Sequence, residues 1–319
     1  MIVTLTPNPS LDRTVTLAAP LERGAVQRAE SVISQAGGKG VNISRASVSA
    51  GIPSLAVLPA PKDDPFVLEL LAAGIDCRAV PNEGGPRVNI TITEPDGTTT
   101  KLNSPGPTIT DEVLIGLTES LRRRAASADW IVLAGSLPPG APVEWYADLV
   151  TTLRESGARI AVDTSDAPLR ALVDRLPQSA PHLMKPNGEE LASFTGGDPD
   201  LLESDPEAAA KAALTLIDRG VETVLATLGP NGAVLVTKQG AWHATPPPTS
   251  VVSTVGAGDS SLFGYLLGDI RQRTPDHRLA LAVAYGSAAA GLPGTTIPHP
   301  SQVKPELVSV RDLNITQGG

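Results

Sequence analysis

The feature that most constrains this chain is the alternation of short aliphatic runs with longer segments of helical periodicity. Runs rich in β-branched and aliphatic residues are typical of buried parallel strands. They lie at Ile2–Leu5, Ser54–Leu58, Trp130–Ala134, Arg159–Val162, His182–Met184 and Thr223–Ala226. Between them, apolar residues return at helical spacing, over Asp111–Ala126, Pro142–Ser156 and Pro206–Arg219. This order predicts an α/β fold, a doubly wound and mostly parallel sheet flanked by helices.

Two regions break this rhythm and predict a small second sheet. In residues 11–18 and 87–103, apolar and polar side chains alternate, as in the stretch that starts at Val88. The second region is predicted to contain two strands, Arg87–Thr93 and Thr99–Asn103, joined by a turn. Strands of this kind bury one face and leave the other in solvent. We interpret them as a discontinuous β-sheet lid on a single α/β domain that spans residues 1–319.

The amino-acid composition limits the binding partners that we expect and the cellular compartment in which the protein works. Hydrophobic residues make up 41% of the chain and charged residues 18%, as in ordinary globular proteins. The net charge of −9 argues against binding to nucleic acid or to an anionic membrane surface. A single cysteine, Cys77, cannot form an internal disulfide, and four scattered histidines give no zinc-site spacing. Residues 1–6 lack the basic and apolar regions of a signal peptide, so we expect a cytoplasmic protein.

The most informative motif is Gly256-Ala257-Gly258-Asp259, which precedes apolar residues at helical spacing. The two glycines let a ligand approach the backbone, and free amides at a helix start bind anions. A carboxylate at Asp259 is placed to take the proton of a hydroxyl that attacks phosphorus. An alternative role for Asp259 is to cap the helix, and this motif alone does not decide between the two.

A second motif, Gly37-Gly38-Lys39-Gly40, is followed by Asn42 at the expected start of a helix. Backbone amides and the ammonium group of Lys39 are able to converge there on a polar ligand. The motif lacks the spacing of a P-loop, and a tight turn with a solvated lysine is the alternative.

Two further segments end predicted strands, where α/β sheets hold their ligands. Asn187 and Glu190 are three residues apart and are able to reach hydrated Mg²⁺ or a triphosphate from one helical turn. First-turn acids that complement the helix dipole are the alternative interpretation. The glycine-rich stretch Thr227–Gly232 ends another strand.

Taken in this order, these motifs resemble the signatures of the ribokinase-like family of ATP-dependent sugar kinases. Three more segments resemble its phosphofructokinase B branch, and within it the 1-phosphofructokinase group: Thr6–Thr14, Arg87–Ile90 and Gly135–Gly140. Two segments depart from the pattern. Leu58–Pro65 stands where relatives usually have a Gly-Gly loop, and Ser104 stands where an acid is frequent.

The resemblance implies a role for each matching residue. The catalytic group would be the base Asp259 with an anion hole formed by the amides of Gly256, Ala257 and Gly258. The substrate-binding residues would be Asp12, Gly38, Lys39, Asn42, Arg87, Asn89 and Ser136. The nucleotide-binding residues would be Lys185, Asn187, Thr227, Gly229 and Gly232. The residues that organise Mg²⁺ would be Glu190 and Asn187.

The resemblance further implies phosphorylation of a ketose phosphate by ATP with Mg²⁺, foremost of fructose 1-phosphate to fructose 1,6-bisphosphate. Tagatose 6-phosphate, fructose 6-phosphate or an unphosphorylated sugar are alternative acceptors, and a homodimer through the lid sheet is expected. An oxidoreductase is disfavoured because Leu5–Pro9 occupies the place of a Gly-x-Gly-x-x-Gly turn. A non-catalytic sugar-phosphate sensor is disfavoured by the intact Asp259 and its glycines.

Overall fold

The structure is a computed structural model, and it describes residues 1–314. The strands in this range, in chain order, are β1 (Ile2–Leu5), β2 (Ser10–Leu17), β3 (Ala29–Gly37), β4 (Ser54–Pro59), β5 (Asp76–Val80), β6 (Arg87–Thr93), β7 (Thr99–Asn103), β8 (Trp130–Ala134), β9 (Arg159–Asp163), β10 (Leu183–Met184), β11 (Thr223–Thr227), β12 (Ala233–Thr237), β13 (Gly240–Thr245) and β14 (Ser309–Leu313). The α-helices are α1 (Lys39–Ser49), α2 (Pro65–Ala72), α3 (Asp111–Ala125), α4 (Trp145–Leu153), α5 (Asp166–Asp174), α6 (Gly188–Thr195), α7 (Pro199–Ser204), α8 (Pro206–Asp218), α9 (Ala257–Ile270) and α10 (Pro275–Ala290).

The main sheet has ten strands in the order β14-β13-β12-β11-β10-β9-β8-β1-β4-β5. All pairs from β11 to β5 are parallel, and the pairs from β11 to β14 are antiparallel. In the centre, Ile2 is in register with Ser54 on one side and Trp130 on the other. The predicted doubly wound, mostly parallel sheet is confirmed. Its antiparallel edge, formed by β12, β13 and β14, was not predicted.

Helices cover both faces of this sheet, because alternate residues of each buried strand point to opposite sides. In β1, Val3 and Leu5 pack with α3, α4 and α8 in one apolar layer. Ile2 packs on the other side with α1, α9 and α10. Fully buried Trp130 and Phe263 belong to this second layer, which places the start of α9 firmly against the sheet.

The small sheet has the strand order β3-β2-β6-β7, with β2 and β6 parallel and the outer pairs antiparallel. The strands β6 and β7 have the predicted bounds, and β2 runs from Ser10 to Leu17, one residue earlier than predicted. Strand β3 was missed, because its first six residues are exposed and carry no alternation of apolar and polar side chains. Its backbone pairing with β2 forms it instead.

Other element boundaries differ slightly from the sequence predictions. Helix α1 begins at Lys39 and not at Asn42, so the lysine itself lies in the first turn. The predicted helix of residues 142–156 is shorter, because Trp145–Leu153 passes into a 3₁₀ turn at Arg154–Ser156. None of the helices in residues 1–314 has the length and hydropathy of a membrane span.

Candidate active site

A polar cavity of about 350 Å³ lies where the carboxyl ends of the central strands meet the small sheet. Strands β2 and β6 contribute the side chains of their first and third residues to one wall. The starts of α1, α6 and α9 form the opposite wall. Its walls contain most of the residues singled out above: Asp12, Gly38, Lys39, Asn42, Arg87, Asn89, Lys185, Asn187, Glu190, Thr227, Gly256, Gly258 and Asp259. We call it the acceptor cavity.

A larger cavity of about 790 Å³ lies beside it, between the end of β11 and the helices α9 and α10. Its lining is mostly apolar and contains Gly229, Gly232 and Ala257. We call it the donor cavity. Three residues, Asn187, Thr227 and Gly258, line both cavities, so the two spaces adjoin at the start of α9.

The side chain of Asp259 lies in the third position of α9 and is only 7% exposed. Its Oδ2 accepts a 2.8 Å hydrogen bond from the side-chain amide of Asn42, which belongs to α1. Burial raises the pKa of Asp259 to about 6, with Lys39 opposing the rise and the Asp163 carboxylate adding to it. The helix-cap interpretation is therefore wrong for Asp259: Gly256 is the cap, and the carboxylate faces another helix.

Backbone amides at the start of α9 form an anion-binding surface next to this carboxylate. Gly256 has a φ of 77°, a left-handed conformation that glycine adopts without strain. The amides of Gly258 and Asp259 lie in the first turn of the helix, where backbone amides have no intrahelical carbonyl to donate to. Neither has a backbone partner within residues 1–314. A Cβ added at Gly258 would lie 3.3 Å from the Nζ of Lys185, so the absence of a side chain leaves room for this ammonium group at the start of α9.

A buried ion-pair group lies behind these amides. The carboxylate of Asp163, at the end of β9, is 2.8 Å from the Nζ of Lys39 and 3.3 Å from the Nζ of Lys185. Burial alone would raise the pKa of Asp163, but the two lysines outweigh it and hold the pKa below its usual value. Burial likewise opposes the charge of Lys39, yet Asp163 and Asp259 raise the pKa of Lys39 well above its usual range.

The wall formed by the small sheet carries a hydrogen-bonded carboxylate. Asp12 accepts bonds from the hydroxyl of Ser10 at 2.8 Å and the amide of Asn89 at 3.0 Å. Burial raises the pKa of Asp12, against the lowering effect of these bonds and of Arg87. The guanidinium of Arg87 donates to the carbonyl of Ser104 at 3.0 Å, while its buried Nε has no partner within the described residues.

The glycines of the second motif are required by close contacts at the junction of β3 and α1. Gly38 has a φ of 111°, and a Cβ there would lie 2.7 Å from the side chain of Thr6. A Cβ at Gly37 would overlap the carboxylate of Asp12. The glycines therefore bring the small sheet and the first turn of α1 together around Lys39.

On the donor side, Asn187 and Glu190 form a capping box at the start of α6. The Oδ1 of Asn187 accepts the amide of Glu190 at 2.7 Å, and the Glu190 carboxylate accepts the amide of Asn187 at 3.0 Å. Burial raises the pKa of Glu190, with Lys185 opposing the rise. Thr227 is bridged to Asn187 through the backbone, which fixes the end of β11 beside this turn.

The geometry of the site differs from the sequence predictions at three residues. Ser136 is exposed and lines neither cavity, although its neighbour Gly135 lies beside Lys39. Asp163 was missed, although it directly follows a predicted strand, where the carboxyl ends of a parallel sheet gather polar groups. Thr295 also lines the acceptor cavity without any motif to mark it.

Comparison with known protein families identifies the family to which this chain belongs. Residues 6–302 match the model of the pfkB family of carbohydrate kinases. The chain belongs to this family. Among its relatives, the 1-phosphofructokinase of Rhodobacter capsulatus is 36% identical over 312 residues, which are 95% of this chain and 94% of the relative. The 1-phosphofructokinase of Xanthomonas campestris is 35% identical over 286 residues, 88% of each chain.

Solved structures agree with the family. This pfkB kinase superposes on phosphofructokinase-2 of Escherichia coli, in complex with substrates and products, with a TM-score of 0.85 and 27% identity, covering 94% of this chain and 96% of that one. The ribokinase of Arabidopsis thaliana, at 19% identity and a TM-score of 0.72, shares the fold. The predicted ribokinase-like fold and the predicted ATP-dependent sugar-phosphate kinase activity are therefore confirmed.

Proposed function

We propose that this pfkB kinase transfers the γ-phosphoryl group of ATP to the 6-hydroxyl of fructose 1-phosphate and forms fructose 1,6-bisphosphate. The relatives that share most of its length are named 1-phosphofructokinase. The observation that carries the proposal is the junction at Gly258, where a polar cavity containing Asp259 and Lys39 adjoins a larger, mostly apolar one. A sugar phosphate suits the first cavity and an adenine nucleotide the second.

Asp259 would act as the general base. It accepts the proton of the attacking hydroxyl while the oxygen forms a bond to the γ-phosphorus and the bond from that phosphorus to the departing ADP oxygen breaks. A pKa of about 6 leaves the carboxylate ionised and still basic at neutral pH. The amides of Gly256, Ala257 and Gly258 would receive the charge that develops on the phosphoryl oxygens.

The donor residues fit a nucleotide-bound Mg²⁺. Within residues 1–314, His, Cys, Asp and Glu side chains form no group of three that could hold a metal alone. Mg²⁺ in kinases is commonly held by one or two carboxylates, substrate phosphates and water, and it neutralises phosphate charge. Glu190 and Asn187 offer a carboxylate and an amide oxygen at the cavity junction, so these two residues would hold the hydrated ion.

Arg87 would bind the phosphate already present on the acceptor. Its guanidinium lines the acceptor cavity and stays half-buried beside Asp12, where its Nε has no hydrogen-bond partner among residues 1–314. A planar guanidinium suits phosphate oxygens because it donates several hydrogen bonds in one plane. Lys39, Asn89 and the more distant Ser136 complete the proposed acceptor set, with Asp12, Gly38 and Asn42 at the sugar hydroxyls.

We propose further that the small sheet is a discontinuous lid of one α/β domain and that its outer surface pairs with a second copy of the chain. Val32 and Ile33, on opposite faces of β3, are 56% and 65% exposed, and Leu102 of β7 is 56% exposed. Light scattering of the purified protein tests the homodimer. A monomer at micromolar concentration would contradict it, and L102D, on the face of the small sheet opposite to Asp12, should dissociate a dimer.

An assay of ADP release tests the activity across fructose 1-phosphate, fructose 6-phosphate, tagatose 6-phosphate and fructose. Fructose 6-phosphate is included because it occupies one of the similar solved structures, a complex of phosphofructokinase-2 from Escherichia coli. We expect the highest kcat/KM with fructose 1-phosphate, and fructose 1,6-bisphosphate as the product by mass spectrometry. A higher kcat/KM with either 6-phosphate, or with fructose, would overturn the assignment of the acceptor.

A further inference from the structure

The carboxylate of Asp163 joins two cations that come from different parts of the chain. Lys39 belongs to the glycine-rich start of α1, and Lys185 directly follows β10. Both ammonium groups lie within salt-bridge distance of the one carboxylate, at 2.8 and 3.3 Å. The side chain of Asp163 is fully buried, at 0% exposure, and it lines neither the acceptor nor the donor cavity. Asp163 therefore acts on bound substrates through the two lysines that it contacts and through the charge that it adds near Asp259.

Lys185 needs a counter-charge to stay where it is, whereas the side chain of Lys39 is 36% exposed. The side chain of Lys185 is only 6% exposed, and Asp163 is its only salt-bridge partner within residues 1–314. An ammonium group buried without a partner is strongly destabilised and would move toward water. Because Lys39 and Lys185 carry the same charge, they would also repel each other without the carboxylate between them.

The two lysines lie where phosphoryl transfer is proposed to occur. Both line the acceptor cavity, and the Nζ of Lys185 lies 3.3 Å from the position that a Cβ would take at Gly258. The groups that face Asp259 are Lys39 from α1, Asp163 from β9 and Lys185 from the segment after β10. Glu190 of α6 faces Lys39 and Lys185 in turn.

We propose that Asp163 is a positioning residue for phosphoryl transfer, which holds the ammonium groups of Lys39 and Lys185 at the junction of the two cavities. The inference rests on the proposed function, since it concerns the same reacting groups. With Asp163 in place, a 2.8 Å hydrogen bond holds Lys39 and a 3.3 Å salt bridge holds Lys185 before substrates arrive. Preorganised charge of this kind avoids reorganisation during the reaction. The Asp163 charge also disfavours ionisation of Asp259 and keeps that base from becoming too weak.

The test compares D163N with D269N in the full chain. Asp269 is also a buried carboxylate between two cations, Arg159 at 2.6 Å and Arg278 at 2.7 Å. It lies ten residues along α9 from Asp259, or about 15 Å by helix rise. D163N should lower kcat by about 100-fold, the scale of a 1 Å misplacement. It should also move the acidic limb of the kcat/KM profile to lower pH by about one pH unit, because a like charge near Asp259 is removed. D269N should leave the limb unmoved.

A D163N limb at the wild-type pH, with a loss of kcat no larger than in D269N, would overturn the proposal. If D163N alone does not fold, D163N/K185M removes the buried charge pair together and leaves only Lys39, which is partly exposed, without its partner. Its acidic limb should lie below that of K185M, and equal limbs would overturn the proposal. Carboxyl ¹³C titration of Asp259 by NMR requires no turnover, so it measures the Asp163 effect even if the proposed acceptor fails. An unchanged Asp259 pKa in D163N would also overturn the proposal.

Discussion

The side-chain amide of Asn42 donates a 2.8 Å hydrogen bond to the carboxylate of Asp259, joining residues that are 217 positions apart in the chain. This bond fastens the first turn of α1, from the acceptor side, to the first turn of α9, from the phosphoryl side. The proposed base is thereby oriented by a residue of the wall that would hold the sugar.

Replacing Asp259 by Asn should abolish most of the turnover without preventing nucleotide binding. The substitution keeps the shape of the side chain and removes its ability to accept a proton, so kcat should fall by about 10³-fold. The Kd for ATP, measured by calorimetry, should stay within about threefold of wild type, because adenine and ribose contacts are unaffected. A D259N enzyme with near-normal kcat would remove Asp259 from the mechanism.

The pH dependence of the reaction should report the ionisation of Asp259. With a pKa of about 6, kcat/KM should rise as the pH increases through 6 and level off above it. The hydrogen bond from Asn42 lowers this pKa, so N42A should move the acidic limb to higher pH. Initial rates between pH 5 and 8 measure both limbs. A limb of N42A at or below the wild-type pH would contradict this assignment.

The free energy of unfolding should also depend on the ionisation of Asp259, but ionisation, which favours catalysis, should destabilise the folded protein. The pKa of Asp259 is raised by folding from 3.8 to about 6, so its contribution is present below pH 3.8 and lost as the pH rises through 6. Relative to wild type, D259N should therefore gain about 1 to 3 kcal/mol in the free energy of unfolding between pH 4 and pH 7. Urea unfolding at the two pH values measures this difference. An equal difference at both pH values would count against a raised pKa.

Arg87 and Arg13 offer a matched pair on the lid. Both are basic residues on neighbouring strands, but only Arg87 lines the acceptor cavity, while Arg13 donates to the hydroxyl of Ser34. R87A should raise the KM for fructose 1-phosphate by about 10- to 100-fold, the range for a hydrogen bond to a charged group. Its KM for ATP should change little, and R13A should leave both values near wild type. An equal effect of the two variants on the sugar-phosphate KM would exclude Arg87 from phosphate recognition.

The small sheet is attached to α1 and α2 through the backbone of one residue, Ala36. The amide of Ala36, near the end of β3, donates to the carboxylate of Glu69 at 2.9 Å, and the Ala36 carbonyl accepts from Arg45 at 3.0 Å. E69A should loosen this attachment and raise the KM for the sugar phosphate about threefold or more, with little change in the KM for ATP. E69Q retains an acceptor and should fall between E69A and wild type. Equal KM values in all three proteins would mean that the attachment has no influence on the acceptor cavity.

Several elements were predictable from local sequence alone. The strands β1, β6, β7 and β8 have their predicted bounds, because each is either a continuous aliphatic run or a regular alternation. Strand β3 was not predictable, because its exposed residues carry no pattern and the neighbouring strand supplies its hydrogen bonds. The sharp glycine turns before α1 and α9 were visible because only glycine tolerates those backbone angles.

The sequence by itself determined which segments carry polar chemistry and in what order, because glycine turns and strand ends are local features written in a few adjacent residues. It therefore indicated the family and most of the cavity wall. The tertiary structure alone decided that Asp163 lies between Lys39 and Lys185 and that Asn42 meets Asp259. Burial and the charges of distant neighbours set the pKa of Asp259, and both arise only when separate strands and helices come together.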